Sequence, residues 1–342
     1  MACAMRFSSR SLAVASAVLV TLWGGVWLAT YALAQNRLQS FATSKGADFR
    51  YRLVSSGGNP LAVQLELADI VWRLPSGSSL TLPQVTLTLL PGSWKHYKVT
   101  SSKPFELLLP ALSGTRLQLA AHGLNGQLTL HGNGRWASLA VTLPQAALAQ
   151  TGGISATPLF KTAEAQLRLE QPAEPPATHL ESGLTLAFAV NDATLAPGLL
   201  RALPQQLTAL TLNARVMGPP PDWRGLPMVE SWRNAGGTLE LDALDFTWGN
   251  LSGLVEATLA LDKDAQPEGA GTAQLMLDSK APTATDAQVF NNIVQSVFSL
   301  MARTDPKTGV KSVTLPLALQ QRQLALGIFP LTKLPEIHWG ND

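Results

Sequence analysis

Apolar residues recur at every second position through most of the chain. Leu61, Val63, Leu65 and Leu67 alternate with Ala62, Gln64, Glu66 and Ala68, the period of a strand that buries one face. Leu80, Leu82, Val85, Leu87 and Leu89 continue in the same style on either side of Pro83. Asn125-Gly126 suits a type I′ turn, whose two central residues both take φ > 0. It predicts a hairpin with Leu117, Leu119, Ala121, Leu128 and Leu130 on one face. Gln118, Ala120, His122, Thr129 and His131 fall on the other. A second hairpin, with a two-residue turn at Gln321-Arg322, pairs Leu319 with Leu324, Leu317 with Leu326 and Leu315 with Ile328.

Two segments depart from period two. From Thr285 to Arg303 the apolar residues Val289, Phe290, Ile293, Val294, Val297, Phe298 and Met301 form a helical stripe, which predicts an amphipathic helix packed on a sheet. Near the start, Ser11–Ala34 carries no charge over 24 residues. As a helix this run is about 36 Å long, enough for a hydrocarbon core of about 30 Å. Arg6 and Arg10 precede it and no acidic residue does, which favours a cytoplasmic N-terminus. The run therefore predicts a transmembrane helix with the bulk of the chain outside, at the periplasmic face of an inner membrane. Ala32-Leu33-Ala34 also fits a signal-peptide cleavage site, in which case the rest is released to the periplasm.

Composition narrows the function. The 342 residues are 46% hydrophobic and only 14% charged, with a net charge of +2. That is enough apolar material for a large core and is unlike a disordered chain. No long basic run is present, so nucleic acid is not an expected partner. The single cysteine, Cys3, precedes the apolar run, which rules out a disulfide framework. Nucleophile elbows, phosphate loops, dinucleotide fingerprints and zinc-protease motifs are all missing from the sequence. Asp262-Lys263-Asp264 opens like a calcium loop, but Pro267 stands where glycine is required. His122 and His131 become diagonal neighbours in the first hairpin, without a third ligand. The expectation is therefore no enzyme, no catalytic residue, no cofactor and no metal.

The second half carries a resemblance. Ser231-Trp232-Arg233-Asn234-Ala235-Gly236-Gly237-Thr238-Leu239-Glu240 is followed by Trp248-Gly249, Leu259-Ala260-Leu261-Asp262 and Gln266-Pro267-Glu268-Gly269. Together with the ending from Val313 to Leu331, and with Trp94 and Pro104, this resembles the alphaproteobacterial family catalogued as domain of unknown function 2125. The resemblance implies a membrane-anchored or exported envelope protein and carries over no catalytic residue. The residues themselves read as structural. Gly236-Gly237 suits a tight turn, Asp262–Gly269 a hairpin loop, and Trp232 and Trp248 buried positions at sheet ends.

The expected architecture is mainly β (α+β). A cytoplasmic tail (1–10), a membrane helix (11–34) and a stem (35–48) precede two β-rich lobes. These are residues 49–171 and 177–342, divided at Pro172–Pro176, and the second holds the helix 285–303. AsmA-like envelope proteins are similar in outline. Leu-rich strand faces outnumber what one helix covers, so the remaining apolar area meets a second sheet or a ligand. As a groove it would bind lipid or another apolar envelope component, with Val294 and Phe298 lining a lid. The alternative is a structural or assembly factor that contacts other envelope proteins. Leu-Pro-Gln recurs at Leu82, Leu143 and Leu203, a spacing that would suit a repeat of strand groups.

Overall fold

A computed structural model describes residues 9–73, 77–110, 116–151, 156–196, 205–219, 226–277, 298, 302–304, 310–327, 329–334, 336–337 and 339. A long helix, α1 (Ser9–Lys45), leads into the first strand. The strands of the N-terminal half are β1 (Phe49–Asn59), β2 (Ala62–Arg73), β3 (Ser79–Leu89), β4 (His96–Ser101), β5 (Phe105–Pro110), β6 (Arg116–Ala121), β7 (Leu124–Leu130), β8 (Trp136–Pro144), β9 (Ala147–Thr151) and β10 (Thr157–Glu170). There follow β11 (Ser182–Leu195), β12 (Gln206–Met217), the helix α2 (Leu226–Asn234), β13 (Leu239–Trp248), β14 (Leu251–Leu261) and β15 (Pro267–Leu277). The chain ends with β16 (Arg303–Thr304), β17 (Lys311–Gln320), β18 (Gln323–Leu326) and β19 (Phe329–Lys333).

All of these strands belong to one 19-stranded antiparallel sheet. Its topology is a meander. β4 and β5 are two halves of one extended path, since both pair with β3. β6 and β7 form the next path and β8 and β9 the one after, and both halves of the latter pair with β10. From β10 each path pairs with its neighbour in sequence through β15, then β17, β18 and β19. β10 and β11 pair directly, Glu170 opposite Thr185. The Pro172–Pro176 break is thus a turn within one sheet.

A crease crosses the first half of the sheet. Asp69, Gln145 and Asp192 take positive φ of 54°, 49° and 51° within or beside strands, a conformation that L-residues adopt at bulges. Pro83 lies where the β2–β3 ladder skips Asp69, and Pro144 precedes Gln145. Proline has no N–H to donate, so it fits where a ladder is interrupted. Two of the three Leu-Pro-Gln tripeptides sit on this line; the one at Leu203 lies outside the described residues. Buried Thr162 stitches the crease, its hydroxyl donating to Asn191 O at 2.6 Å.

Several expectations are corrected here. Asn125-Gly126 is not a turn, because both residues lie inside β7 between β4 and β8. Gly126 faces Val99 on one side and Val141 on the other, and two flanking ladders outweigh a local turn preference. The predicted apolar face survives, since Leu117, Leu119, Ala121, Leu128 and Leu130 remain on one side of a single extended path. His122 and His131 are not neighbours: nine residues of extended chain put them about 30 Å apart. His131 Nε2 lies 2.9 Å from Gln171 O instead. The stem itself is helical, because α1 runs on to Lys45, which is compatible with its reading as a stem.

The hairpin at Gln321-Arg322 forms as expected, with Leu319 opposite Leu324 and Leu317 opposite Leu326. Ile328 lies outside the described residues. Among the described residues no helix is long and apolar enough to cross a membrane. The described side chains of α1 begin at Leu19, so the first part of the uncharged run, Ser11–Val18, precedes them.

Candidate functional site

The registers of neighbouring strands add up to one apolar face. Leu65 lies opposite Leu87, Leu87 opposite Val99, Val99 opposite Gly126 and Gly126 opposite Val141. The row continues through Leu167, Phe188, Leu212 and Leu244, then Val255, Ala273 and Leu315. Every member is apolar or glycine. At roughly 4.8 Å per strand, the eleven steps between β2 and β17 make a row about 50 Å long. Parallel rows flank it, such as Leu89, Tyr97, Leu128 and Leu139. The opposite face carries the polar partners, among them Gln166, Arg168, Thr211, Asn213 and Asp245.

The two ends of this face are covered. At the β2 end, Val63, Leu65 and Leu89 are fully buried, in a cluster that includes Trp27, Tyr31, Ala34 and Leu38 of α1. α1 runs antiparallel to β1. Trp23 and Trp27 donate from Nε1 to Pro60 O and Asn59 O at 2.6 and 2.9 Å, and Tyr31 OH bonds Ser56 Oγ at 2.9 Å. Residues four apart share a helix face, so these three aromatics form one docking stripe. Arg37 reaches the Trp94 carbonyl and the Tyr97 hydroxyl from the neighbouring face. Phe41 packs edge-on against Phe49 and Trp72 at 5.0 and 5.6 Å.

At the far end Phe298 does the covering. It is helical and 3% exposed, packed with Leu251, Leu277, Val313 and Leu315. Ala302 N donates to its carbonyl at 3.1 Å, and Arg303 already belongs to a strand. Of the two residues expected at a lid, Phe298 thus fills the end of the face, and Val294 lies outside the described residues.

Between the ends the described residues leave the face partly covered: Val190, Ala214 and Val216 are buried, and many of their neighbours are half-buried. Every residue of β8 and β9 is half-buried, as are Leu186 and Phe188 on β11 and Leu241, Leu244 and Phe246 on β13. In a closed sandwich these inward positions are as buried as Leu65. Sequence reading did not single out this central stretch. Its signal was the alternation Leu184, Leu186, Phe188, Val190 and its partner Leu210, Leu212, Ala214, Val216.

Charge belongs to the other face. Arg215 and Asp242 form a two-pronged pair at 2.8 and 2.5 Å. That hydrogen bond holds the Asp242 carboxyl below its ordinary range, against a smaller opposing effect of burial. Among the described residues no three His, Cys, Asp or Glu side chains gather to hold a metal.

The tryptophan-glycine stretch builds a joint instead of a site. Trp232 on α2 is 6% exposed, and its Nε1 donates to Met217 O at 2.9 Å. Its ring lies on Gly237, where a Cβ would stand 2.2 Å from the indole. Gly236 takes φ 81°, which suits glycine. Arg233 donates to the carbonyls of Asp262 and Lys263 at 2.9 and 2.8 Å. Asp262 Oδ1 in turn accepts from the amides of Asp264 and Gln266, so the expected loop is a compact turn. Gln266 exchanges two bonds with the backbone of Ile337, and Trp339 Nε1 donates to Ala265 O. Trp248, expected to be buried, is half-buried on the apolar face.

This joint spans the residues that carried the resemblance, and the match extends well beyond it. The family model described as "uncharacterized protein conserved in bacteria (DUF2125)" matches residues 27–335. The chain belongs to the DUF2125 family. The family match begins at Trp27, inside the aromatic stripe of α1, and takes in the whole sheet. No curated protein and no solved structure matches the chain.

Proposed function

We propose that this DUF2125 protein is a membrane-anchored protein of the bacterial envelope, held by its uncharged N-terminal run, that binds lipid acyl chains along the apolar face of its sheet. The observation that carries the reading is the row from Leu65 to Leu315, covered at both ends and less completely buried in the middle. An apolar surface of this extent costs about 25 cal/mol for each Å² left in water. A monomer rarely leaves such an area unoccupied. A flexible chain of methylenes matches a face that is long, apolar and poor in hydrogen-bonding groups. The Arg6 and Arg10 flank supports a sheet on the outer side of the membrane.

The test is native mass spectrometry of the full chain extracted in a mild detergent. We expect co-purified phospholipid on the wild-type protein. Phe188→Asp and Leu212→Asp change the less buried centre, so those variants should fold and lose the lipid. A wild-type chain without lipid, or folded variants that retain it in full, would overturn the reading.

A further inference from the structure

The turns along one rim of the sheet share a chemistry that the lipid-binding face does not explain. The β1–β2 turn ends in Leu61, which is 72% exposed, and the β3–β4 turn presents Leu90 and Trp94 at 55% and 38%. These turns are adjacent, because α1 sits between them. Trp23 bonds Pro60 of the first turn, and Gly92 N of the second donates to Thr30 Oγ1 at 3.3 Å. The β7–β8 turn lies next along the rim, tied by Leu130 N donating to Lys95 O at 2.8 Å.

Across the segments 55–64, 88–98 and 129–137 there is no aspartate or glutamate, whereas Lys95, Lys98 and Arg135 are all present. α1 also leaves the sheet at this rim. Beyond Trp23 its Leu19, Val20 and Leu22 are 67%, 72% and 63% exposed. Arg135 also donates to the Ala173 carbonyl of the neighbouring β10–β11 turn at 3.2 Å. Exposed leucines and a tryptophan beside Lys95, Lys98 and Arg135, next to an emerging apolar helix, match the boundary between acyl chains and anionic headgroups.

We propose that this rim rests on an anionic lipid bilayer. Leu61 and Leu90 enter the headgroup–acyl boundary, and Lys95, Lys98 and Arg135 meet lipid phosphates. The sheet then stands on the membrane with its strands running away from it, and α1 enters the bilayer beside the two leucines. The contact is separate from acyl-chain binding on the face, and the two are read by different measurements.

The experiment uses the full chain with Cys3→Ser, reconstituted into vesicles of phosphatidylglycerol and phosphatidylcholine. A bimane probe is attached in turn at Leu61→Cys, Leu90→Cys and Thr81→Cys, and quenching by brominated lipid is measured. Thr81 is exposed on the same strand as the β3–β4 turn, about 30 Å from Leu90, and serves as the dry control. Quenching at positions 61 and 90 several-fold above position 81 is expected. It should fall when phosphatidylglycerol is replaced by phosphatidylcholine, or when Lys95, Lys98 and Arg135 are changed to Gln together. Equal quenching at all three positions overturns the contact. Strong quenching at 61 and 90 that ignores both charge changes overturns the anionic-lipid assignment. Lipid retention in the mass-spectrometric assay is independent of either result.

Discussion

Gly237 is glycine because an indole occupies the space where its side chain would be. The Trp232 ring needs that space to bring Nε1 to the Met217 carbonyl. Gly237→Ala should therefore displace the ring and break its bond to the partly buried Met217 carbonyl. The expected loss is about 3–5 kcal/mol, similar to Trp232→Ala. Because both changes break one packing unit, the double variant should be little worse than either single one. Denaturant titration of the three proteins decides this; losses that add up would mean that glycine and indole act separately. At the same scale, the Arg215–Asp242 pair is prominent but contributes little, since both side chains are more than a third exposed at 42% and 38%.

Single elements show which parts of the fold were readable from the sequence. The β17–β18 hairpin was readable because apolar alternation on both flanks admits one register. Its turn residues were not the guide, since Gln321 and Arg322 take φ of 49° and 67° without being Asn or Gly. Gln321→Asn should therefore stabilise the protein by about 0.5–1 kcal/mol. A thermal scan showing a lowered Tm would contradict this. Asn125-Gly126 misled because a dipeptide cannot report that its segment has partners on both sides. The crease was hidden for a related reason. Asp69, Gln145 and Asp192 are unremarkable in their own segments and acquire meaning only when their strands lie side by side. The joint around Trp232 was read correctly as structural, but its partners at Met217 and Ile337 are distant in sequence.

At the scale of the whole sheet, the described residues cover its two ends more completely than its centre. An aspartate should therefore act differently according to position. At Leu65, under α1, it should unfold the domain, whereas at Phe188 or Leu212 it should leave the fold intact and reduce the proposed lipid binding. Circular dichroism on the three variants separates these cases, and loss of folding in all of them would mean that the centre is closed. The sequence carried the alternation that makes one face apolar. It did not carry the choice between one layer and two, which depends on registers summed across the sheet.

The meander has a consequence for how the chain is made. Each new strand path finds its partner in the path synthesised just before it, so no strand waits for a distant one. Loop closure is then cheap at every step. A chain that leaves the ribosome N-terminus first can zip up as it emerges, with β1 and β2 as the seed and α1 already made beside them. Run in reverse, the same order predicts a peeling molecule. When an optical trap pulls on the C-terminus, extension should proceed in many small steps from β19 inward. A single rip spanning the whole sheet would show that its stability is shared globally and not passed from neighbour to neighbour.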